Sequence, residues 1–360
     1  MLRLSVNLNK ITENFDRIRA LCDERGIELA TVAKLCLTNL DIVKPIIDAG
    51  AHLIAESNLV NLANLPYNVR RMLLRTSLDD IALGLDHCDY VFLSEIPLLS
   101  ALRETRRGRE VGVYVNVEAG DLREGVLPED LAGFLSAARR IRRGPRIVGF
   151  AANYGCLRGF VPSAEDIRRF REACDAAASA AGLAEYTVSV GGTTVYELLE
   201  AGELDSVDQI RIGEALYFGY NMSLGKRICG LHDDALVLTG EVIEVKEKLV
   251  DGEAGQGFNA FGHKTGPLGR GVRRRAVLNF GELAAPSRSL APLLPGAFFS
   301  GATHDYSVLD ITDCDRSVRV GDHLDFRTNY NSAAQAILSP YVEKTMIWDA
   351  GDRREEAECL

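Results

Sequence analysis

The segment Asp208-Gln-Ile-Arg-Ile-Gly-Glu-Ala-Leu-Tyr-Phe-Gly-Tyr220 decides the fold of this chain. Residues 208–212 have the apolar content of a short buried strand, and Gly213 with Glu214 turns the chain into a helix. Such a turn offers backbone N–H groups and the positive end of a helix dipole, which favour a phosphate group. Arg211 adds a permanent cation at the carboxyl end of the strand. On its own such a segment is more often a plain strand and helix with a surface arginine, so its meaning depends on the rest of the chain.

Upstream of this segment, helical and strand-like stretches alternate. Residues 11–24 repeat apolar positions with a period near 3.6, and residues 29–34 form a short apolar run. Further predicted strands lie at 52–55, 72–75, 90–93, 111–117, 146–152, 186–190 and 208–212. Strands that alternate with helices are typical of parallel βαβ units, and eight of them close a (β/α)8 TIM-type barrel. The sequence therefore predicts an α/β barrel, with an open doubly wound sheet as the alternative.

The pattern changes after residue 225. Strand-like runs at 237–245, 274–280, 307–311 and 323–328 are separated by Gly, Pro and Asp turns without a strong helical pattern. We expect residues 1–225 to form the barrel and residues 226–360 to form a C-terminal antiparallel β domain. Residues 251–272 are rich in glycine and predict a long loop, and the charged tail 349–360 is expected to be frayed.

Composition excludes several classes of function. The 360 residues are 47% hydrophobic and 26% charged, and the net charge of −10 disfavours nucleic acid and anionic membranes as partners. No apolar run reaches the ~20 residues of a membrane span, and the amino-terminal segment lacks a signal-peptide pattern, so we expect a cytoplasmic protein. The eight Cys and six His show no metal-ligand spacing, so no metal site is expected.

Lys34 closes the first predicted barrel strand. A lysine at the end of an apolar strand is costly unless it is paired or used, although it can also extend its amine to solvent. Desolvation and nearby arginines would lower the pKa of the amine and allow it to form a Schiff base. In a closed barrel the first strand lies beside the eighth, which brings Lys34 next to the turn at 213–214. An amine beside a phosphate seat suggests pyridoxal 5′-phosphate (PLP) as the cofactor.

Several short stretches resemble the fold-type III PLP enzymes related to alanine racemase, in particular the ornithine-racemase-like branch of broad-specificity amino-acid racemases. The resemblance covers nearly the whole chain. It is carried by Val6-Asn-Leu-Asn-Lys-Ile11, Val32-Ala-Lys34, Gly120-Asp-Leu-Arg-Glu-Gly-Val126, Val190-Gly-Gly-Thr-Thr194, Arg211-Ile-Gly-Glu-Ala215, Gly271-Val-Arg-Arg-Arg-Ala276, Leu309-Asp-Ile-Thr-Asp313 and Ser339-Pro-Tyr-Val-Glu-Lys344.

The resemblance implies roles for residues around the cofactor ring. Lys34 matches the family lysine that binds PLP as an internal aldimine and acts as one base. Arg123 matches the arginine near the phenolic oxygen, and Asn153 stands where alanine racemases carry a histidine. Arg211 matches the arginine that faces the pyridine nitrogen. Because arginine only donates hydrogen bonds, that nitrogen would stay unprotonated and favour reprotonation at Cα over transamination.

The resemblance also implies how the phosphate is held. Thr193 and Thr194 match the Asn-Ser pair whose hydroxyl and amide groups contact the phosphate. Gly213 and Glu214 match the backbone donors to the same group. These assignments agree with the anion seat inferred from the strand–turn–helix pattern alone.

The second base of a racemase is not evident in the sequence. Alanine racemases use a Tyr of the partner's β domain, but the corresponding stretch Leu278-Asn-Phe-Gly-Glu282 has none. We expect the replacement at His304 or Asp305, with Tyr306 and His263 as further candidates. Each of these residues, taken alone, is more often structural.

The leading interpretation is a homodimeric PLP-dependent amino-acid racemase or epimerase whose site is completed by the partner's β domain. Alternatives are a lyase or decarboxylase reaction on the same scaffold, or a PLP-binding protein without catalysis. The basic run 139–143 is interpreted as a solvated helix end. The run 273–275 is expected near the acidic end of a substrate or at a dimer contact.

Overall fold

The computed structural model describes residues 1–66, 68–104, 110–142, 144–250, 257–264, 266 and 270–348. The chain divides into two compact units. One is Ile11–Leu231, and the other combines Met1–Lys10 with the described residues from His232 to Trp348. The chain begins with strand β1 (Arg3–Asn7), which belongs to the second unit. The proposed tail at 349–360 and part of the loop at 251–272 lie outside the described residues.

The first unit is a closed barrel of parallel strands. Its strands are β2 (Glu28–Val32), β3 (Leu53–Glu56), β4 (Arg70–Leu73), β5 (Tyr90–Leu93), β6 (Gly112–Asn116), β7 (Arg146–Asn153), β8 (Thr187–Gly191) and β9 (Gln209–Ile212). The helices are α1 (Leu8–Glu24), α2 (Leu40–Asp48), α3 (Leu59–Leu62), α4 (Leu78–Leu83), α5 (Ile96–Glu104), α6 (Leu131–Arg140), α7 (Ala164–Ala181), α8 (Tyr196–Ala201) and α9 (Glu214–Phe218). A short pair, β10 (Tyr220–Asn221) and β11 (Lys226–Arg227), follows.

Pairing of the first and last strands closes the barrel. Strand β9 runs parallel to β2, with Arg211 aligned to Ala30 and Ile212 aligned to Thr31. Alternate side chains fill the interior, as a parallel barrel requires. The interior cluster contains Ala30, Val32, Leu53, Ala55, Met72, Phe92, Tyr114 and Ala151. The barrel prediction is confirmed, and the open-sheet alternative is wrong.

The first barrel strand is shorter than the sequence suggests. It ends at Val32, and Lys34–Cys36 form a 3-10 turn instead of the last residues of a strand. Leu37 and Thr38 then take left-handed backbone angles, with φ of 55° and 51°. The buried hydroxyl of Thr38 donates to the Asn61 carbonyl, which stabilises this unusual bend. Lys34 therefore opens a tight turn at the carboxyl edge of the barrel.

The second unit is built on a mostly antiparallel sheet of eight strands. After β1, its strands are β12 (Leu236–Leu249), β13 (Val272–Leu278), β14 (Leu290–Pro292), β15 (Phe298–Ala302), β16 (Ser307–Asp310), β17 (His323–Thr328) and β18 (Glu343–Ile347). This confirms the predicted β domain. Helix α10 (Tyr330–Leu338) was not predicted, because small alanines form much of its buried face.

Strand β1 also departs from the division at residue 225. It pairs antiparallel with β12 and parallel with β18, so the chain starts in the β unit before it enters the barrel. Among the helices of the described ranges, none combines the length and apolar character that a bilayer crossing requires.

Candidate active site

Arg211 lies inside the barrel near the carboxyl ends of the strands. Its guanidinium donates from Nη1 to Ser189 Oγ at 2.6 Å and from Nη2 to the Ala152 carbonyl at 2.7 Å. Its Cζ lies 5.1 Å from the centroid of the Phe92 ring. Burial lowers the pKa of Arg211 to about 10, so the side chain stays charged at neutral pH. A buried cation held by neutral oxygens keeps its remaining N–H groups for a ligand.

Gly191 makes room for this guanidinium. A Cβ atom at position 191 would lie 2.3 Å from Arg211 Nη2, a distance that real side chains do not reach. Glycine at the carboxyl end of β8 is therefore needed for the observed position of Arg211. The close approach of the Arg211 guanidinium explains the first glycine of the pattern Val190-Gly-Gly-Thr-Thr194.

The turns after β8 and β9 are joined by a hydrogen bond. Thr193 Oγ1 accepts from the Ala215 N–H at 3.0 Å, which leaves its hydroxyl proton for another acceptor. Thr194 Oγ1 donates to the Tyr154 carbonyl at 3.2 Å. Helix α9 has five residues and a correspondingly small dipole, so the backbone N–H groups of its first turn are its main attraction for an anion.

Lys34 and the turn at Gly213 are neighbours. A Cβ atom at Gly213 would lie 3.0 Å from Val32 Cβ, so the backbone turn packs directly against the end of β2. Burial raises the pKa of Glu214 to about 7, while a hydrogen bond from the Met222 backbone and the charge of Lys34 act in the opposite direction. Lys34 begins the 3-10 turn two residues after Val32, so it follows the strand end on which the Gly213 turn packs.

Asp121 contacts two of the predicted site residues, Asn153 and Arg123, and sequence reasoning missed it. Its buried carboxylate accepts from Asn153 Nδ2 at 3.3 Å and lies 3.8 Å from the guanidinium of Arg123. Arg123 also donates from Nη2 to Glu124 at 2.7 Å, and this pairing raises the pKa of Arg123. The sequence shows only that Asp121 stands two residues before Arg123, and its burial becomes evident in the structure.

The candidates for a second base lie in the β unit. His304 and Asp305 are exposed in the turn that connects β15 to β16. The backbone N–H of Glu282 donates to the Thr303 carbonyl at 3.0 Å, and a Cβ atom at Gly281 would lie 2.3 Å from the same oxygen. The stretch that lacks the family tyrosine therefore packs against the turn that carries His304 and Asp305.

The remaining candidates and the basic runs have structural partners. The ring of His304 lies 4.7 Å from that of Phe261, in the segment that also contains His263, and Tyr306 is exposed. Arg273 pairs with Asp310 at 2.8 Å and with Asp313 at 2.9 Å. In the run 139–143, Arg139 and Arg140 end helix α6, and residue 143 lies outside the described ranges.

Residues 6–221 match the family model "Alanine racemase, N-terminal domain". The chain belongs to this alanine racemase family. It is 32% identical to the lysine racemase of Thermotoga maritima, over 95% of this chain and 97% of the relative. It is 29% identical to the ornithine racemase of Acetoanaerobium sticklandii, over 96% of this chain and 99% of the relative. The predicted family is thereby confirmed.

A solved structure supports the fold independently. The alanine racemase of Bartonella henselae, crystallised with covalently bound pyridoxal phosphate, superposes with a TM-score of 0.71 at 15% identity. The match covers 96% of this chain and 99% of that chain. The order of a barrel followed by a β domain is therefore shared with this racemase.

Replacement of Gly191 by alanine should destabilise the protein by about 1–3 kcal/mol, because the added methyl group displaces the Arg211 guanidinium. Urea unfolding measures the change. Gly133→Ala is the matched control, since its Cβ would meet nothing within 4 Å in helix α6, and it should stabilise by about 0.5–1 kcal/mol. Equal effects of the two substitutions would contradict the steric role of Gly191.

Glu214 should make the stability of the cofactor-free protein fall as pH rises. Its carboxyl has a pKa of about 7 in the folded state against 4.5 in the unfolded chain, so the folded state holds the extra proton between these values. The contribution of Glu214 to stability is full below pH 4.5 and decreases by up to about 3 kcal/mol as the pH rises through 7.

Urea unfolding across this pH range should show that Glu214→Gln removes this part of the pH dependence. The control Glu129→Gln changes an exposed carboxylate and should leave the dependence as in the parent protein. The assignment fails if the two variants have the same profile.

Proposed function

We propose that the protein is a PLP-dependent amino-acid racemase. The observation that carries this proposal is the pairing of β2 with β9, which packs Val32, two residues before Lys34, against the turn at Gly213. The names of the lysine and ornithine racemases at 32% and 29% identity support the reaction type. A phosphorylated aldehyde that is bound covalently requires an amine to react with its carbonyl and a group of N–H donors to bind its phosphate.

The described residues fit PLP as the cofactor. Lys34 would hold it through its amine, and the Thr193 hydroxyl with the N–H groups at Gly213 and Glu214 would hold its phosphate. Arg211 supplies donors from a dry environment, where a hydrogen bond to a ring nitrogen is stronger than in water. Arg123, Asn153 and Thr194 would line the site as the family resemblance implies. Asp121 would hold Arg123 and Asn153 in place.

Racemisation moves the Cα proton from one face of the substrate to the other. Bound PLP supplies the electron withdrawal that acidifies this proton. Lys34 removes or returns the proton on its own face, as a lysine amine in a partly desolvated turn can do. Arg211 keeps its proton, because a guanidinium with a pKa of about 10 does not release it at neutral pH. It therefore donates a hydrogen bond without joining the proton transfer.

The second face needs a group of its own. We propose that the turn at His304 and Asp305 supplies it, because the segment that lacks the family tyrosine packs on this turn. We further propose a homodimer in which the β unit of each protomer completes the site in the barrel of its partner.

The names of the lysine and ornithine racemases support a substrate class. We propose a basic amino acid, with lysine and ornithine as the first compounds to test, and the cytoplasm as the location.

The decisive experiment incubates the PLP-loaded protein with each enantiomer in deuterium oxide. Deuterium at Cα together with loss of optical rotation selects a racemase. Release of carbon dioxide or ammonia without inversion would select a decarboxylase or a lyase.

Replacement of Lys34 by alanine should lower racemisation by at least about 10²–10⁴-fold and remove the near-visible absorbance of bound PLP, because both depend on this amine. Chiral chromatography and absorbance spectroscopy measure the two effects. The control Lys44→Ala removes an exposed amine that is paired with Asp48 on helix α2, and it should leave both unchanged. A Lys34→Ala protein that racemises at the parent rate would refute the assignment.

Loss of the second base should separate exchange from inversion. If the turn supplies this base, His304→Ala or Asp305→Asn should lower racemisation by about 10²–10⁴-fold. Lys34 should still exchange the Cα hydrogen of one enantiomer with solvent deuterium. Proton NMR of each enantiomer measures this exchange. The control is His323→Ala on β17. Parent-like racemisation in both test variants would place the second base elsewhere.

A further inference from the structure

A chain of hydrogen bonds runs through the barrel interior behind Arg211. Ser189 Oγ, which accepts from Arg211, donates to Gln209 Oε1 at 2.8 Å. Gln209 Nε2 donates to Glu28 Oε2 at 2.6 Å. Ser189 and Gln209 are fully buried on β8 and β9, and Glu28 begins β2. The chain thus connects the candidate active site with the amino-terminal end of the barrel.

Glu28 is anchored at the far end of this chain. Arg70 donates to Oε1 of its carboxylate, and His52 Nε2 lies 3.2 Å from that oxygen. Burial would raise the pKa of Glu28, but the hydrogen bonds from Gln209 and Arg70 outweigh it and hold that pKa below its usual value. The carboxylate is therefore ionised at neutral pH.

An ionised carboxylate sets the direction of every bond in the chain. It can only accept, so the amide nitrogen of Gln209 must face Glu28 and the amide oxygen must face Ser189. The Ser189 proton then points to Gln209, which leaves a lone pair of its oxygen for Arg211. Uniform donor direction polarises each bond in the same sense and strengthens the chain.

We propose that Ser189, Gln209 and Glu28 are positioning residues that hold the Arg211 guanidinium in one orientation. The Ala152 carbonyl, the Phe92 ring and the missing side chain at Gly191 complete its surroundings. A guanidinium that is already oriented donates to a bound ring without reorganisation. The importance of this orientation for catalysis rests on the proposed function, whereas the orientation itself is a property of the barrel.

The test measures the motion of Arg211 in the cofactor-free protein. Side-chain nitrogen NMR of protein labelled with ¹⁵N-arginine reports rotation about the Nε–Cζ bond, and Arg211→Lys assigns the signals. The test variants are Ser189→Ala, Gln209→Met and Glu28→Gln. Thr31→Val is the matched control, because it removes a buried barrel hydroxyl that has no hydrogen-bond partner among the described residues.

Ser189→Ala should speed the rotation about tenfold or more, since tenfold equals about 1.4 kcal/mol and a hydrogen bond to a charged group contributes about that much. Gln209→Met and Glu28→Gln should also speed it, by at least about twofold, although neither residue contacts Arg211. Thr31→Val should leave the rate unchanged. Rates for Gln209→Met and Glu28→Gln equal to that of Thr31→Val would overturn the proposal. Because no cofactor is present, the result does not depend on whether the protein racemises amino acids.

Discussion

The parallel pairing of β2 with β9 is the interaction on which the site depends. These strands are the first and last of the barrel, and about 180 residues separate them in the chain; Glu28 pairs with Gln209 and Thr31 with Ile212. One of the two groups proposed to bind the cofactor lies just beyond the carboxyl end of each strand. The Lys34 amine follows β2, and the turn at Gly213 follows β9. An open sheet would leave these two groups at opposite edges, so closure itself creates the candidate site.

Much of the fold could be predicted from the sequence because the barrel is regular. Short apolar runs between amphipathic helices gave nearly correct strands, and the helical pattern at residues 11–24 lies within α1 (Leu8–Glu24). The misses have local causes. The 3-10 turn at Lys34–Cys36 leads into Leu37 and Thr38, which have left-handed backbone angles. No apolar pattern reveals such angles. Strand β1 joins the β unit through pairing with distant strands, which periodicity cannot show.

The sequence allowed candidate site residues to be proposed only where a residue type carries chemistry by itself. Lys34 and Arg211 stood out as charges in apolar strands. Asp121, Ser189 and Gln209 did not, because their importance comes from partners on other strands. Ser189 is an ordinary small residue until the barrel places it between Arg211 and Gln209. Such contacts depend on tertiary structure, which a single sequence does not display.

The most direct measurement of the account is to locate the covalent link between the cofactor and the chain. The protein would be loaded with PLP, reduced with borohydride to make the carbon–nitrogen bond permanent, digested and examined by mass spectrometry. The account predicts the phosphopyridoxyl group on Lys34 and on no other lysine. A label on a different lysine, or no label in a protein that still racemises amino acids, would contradict it.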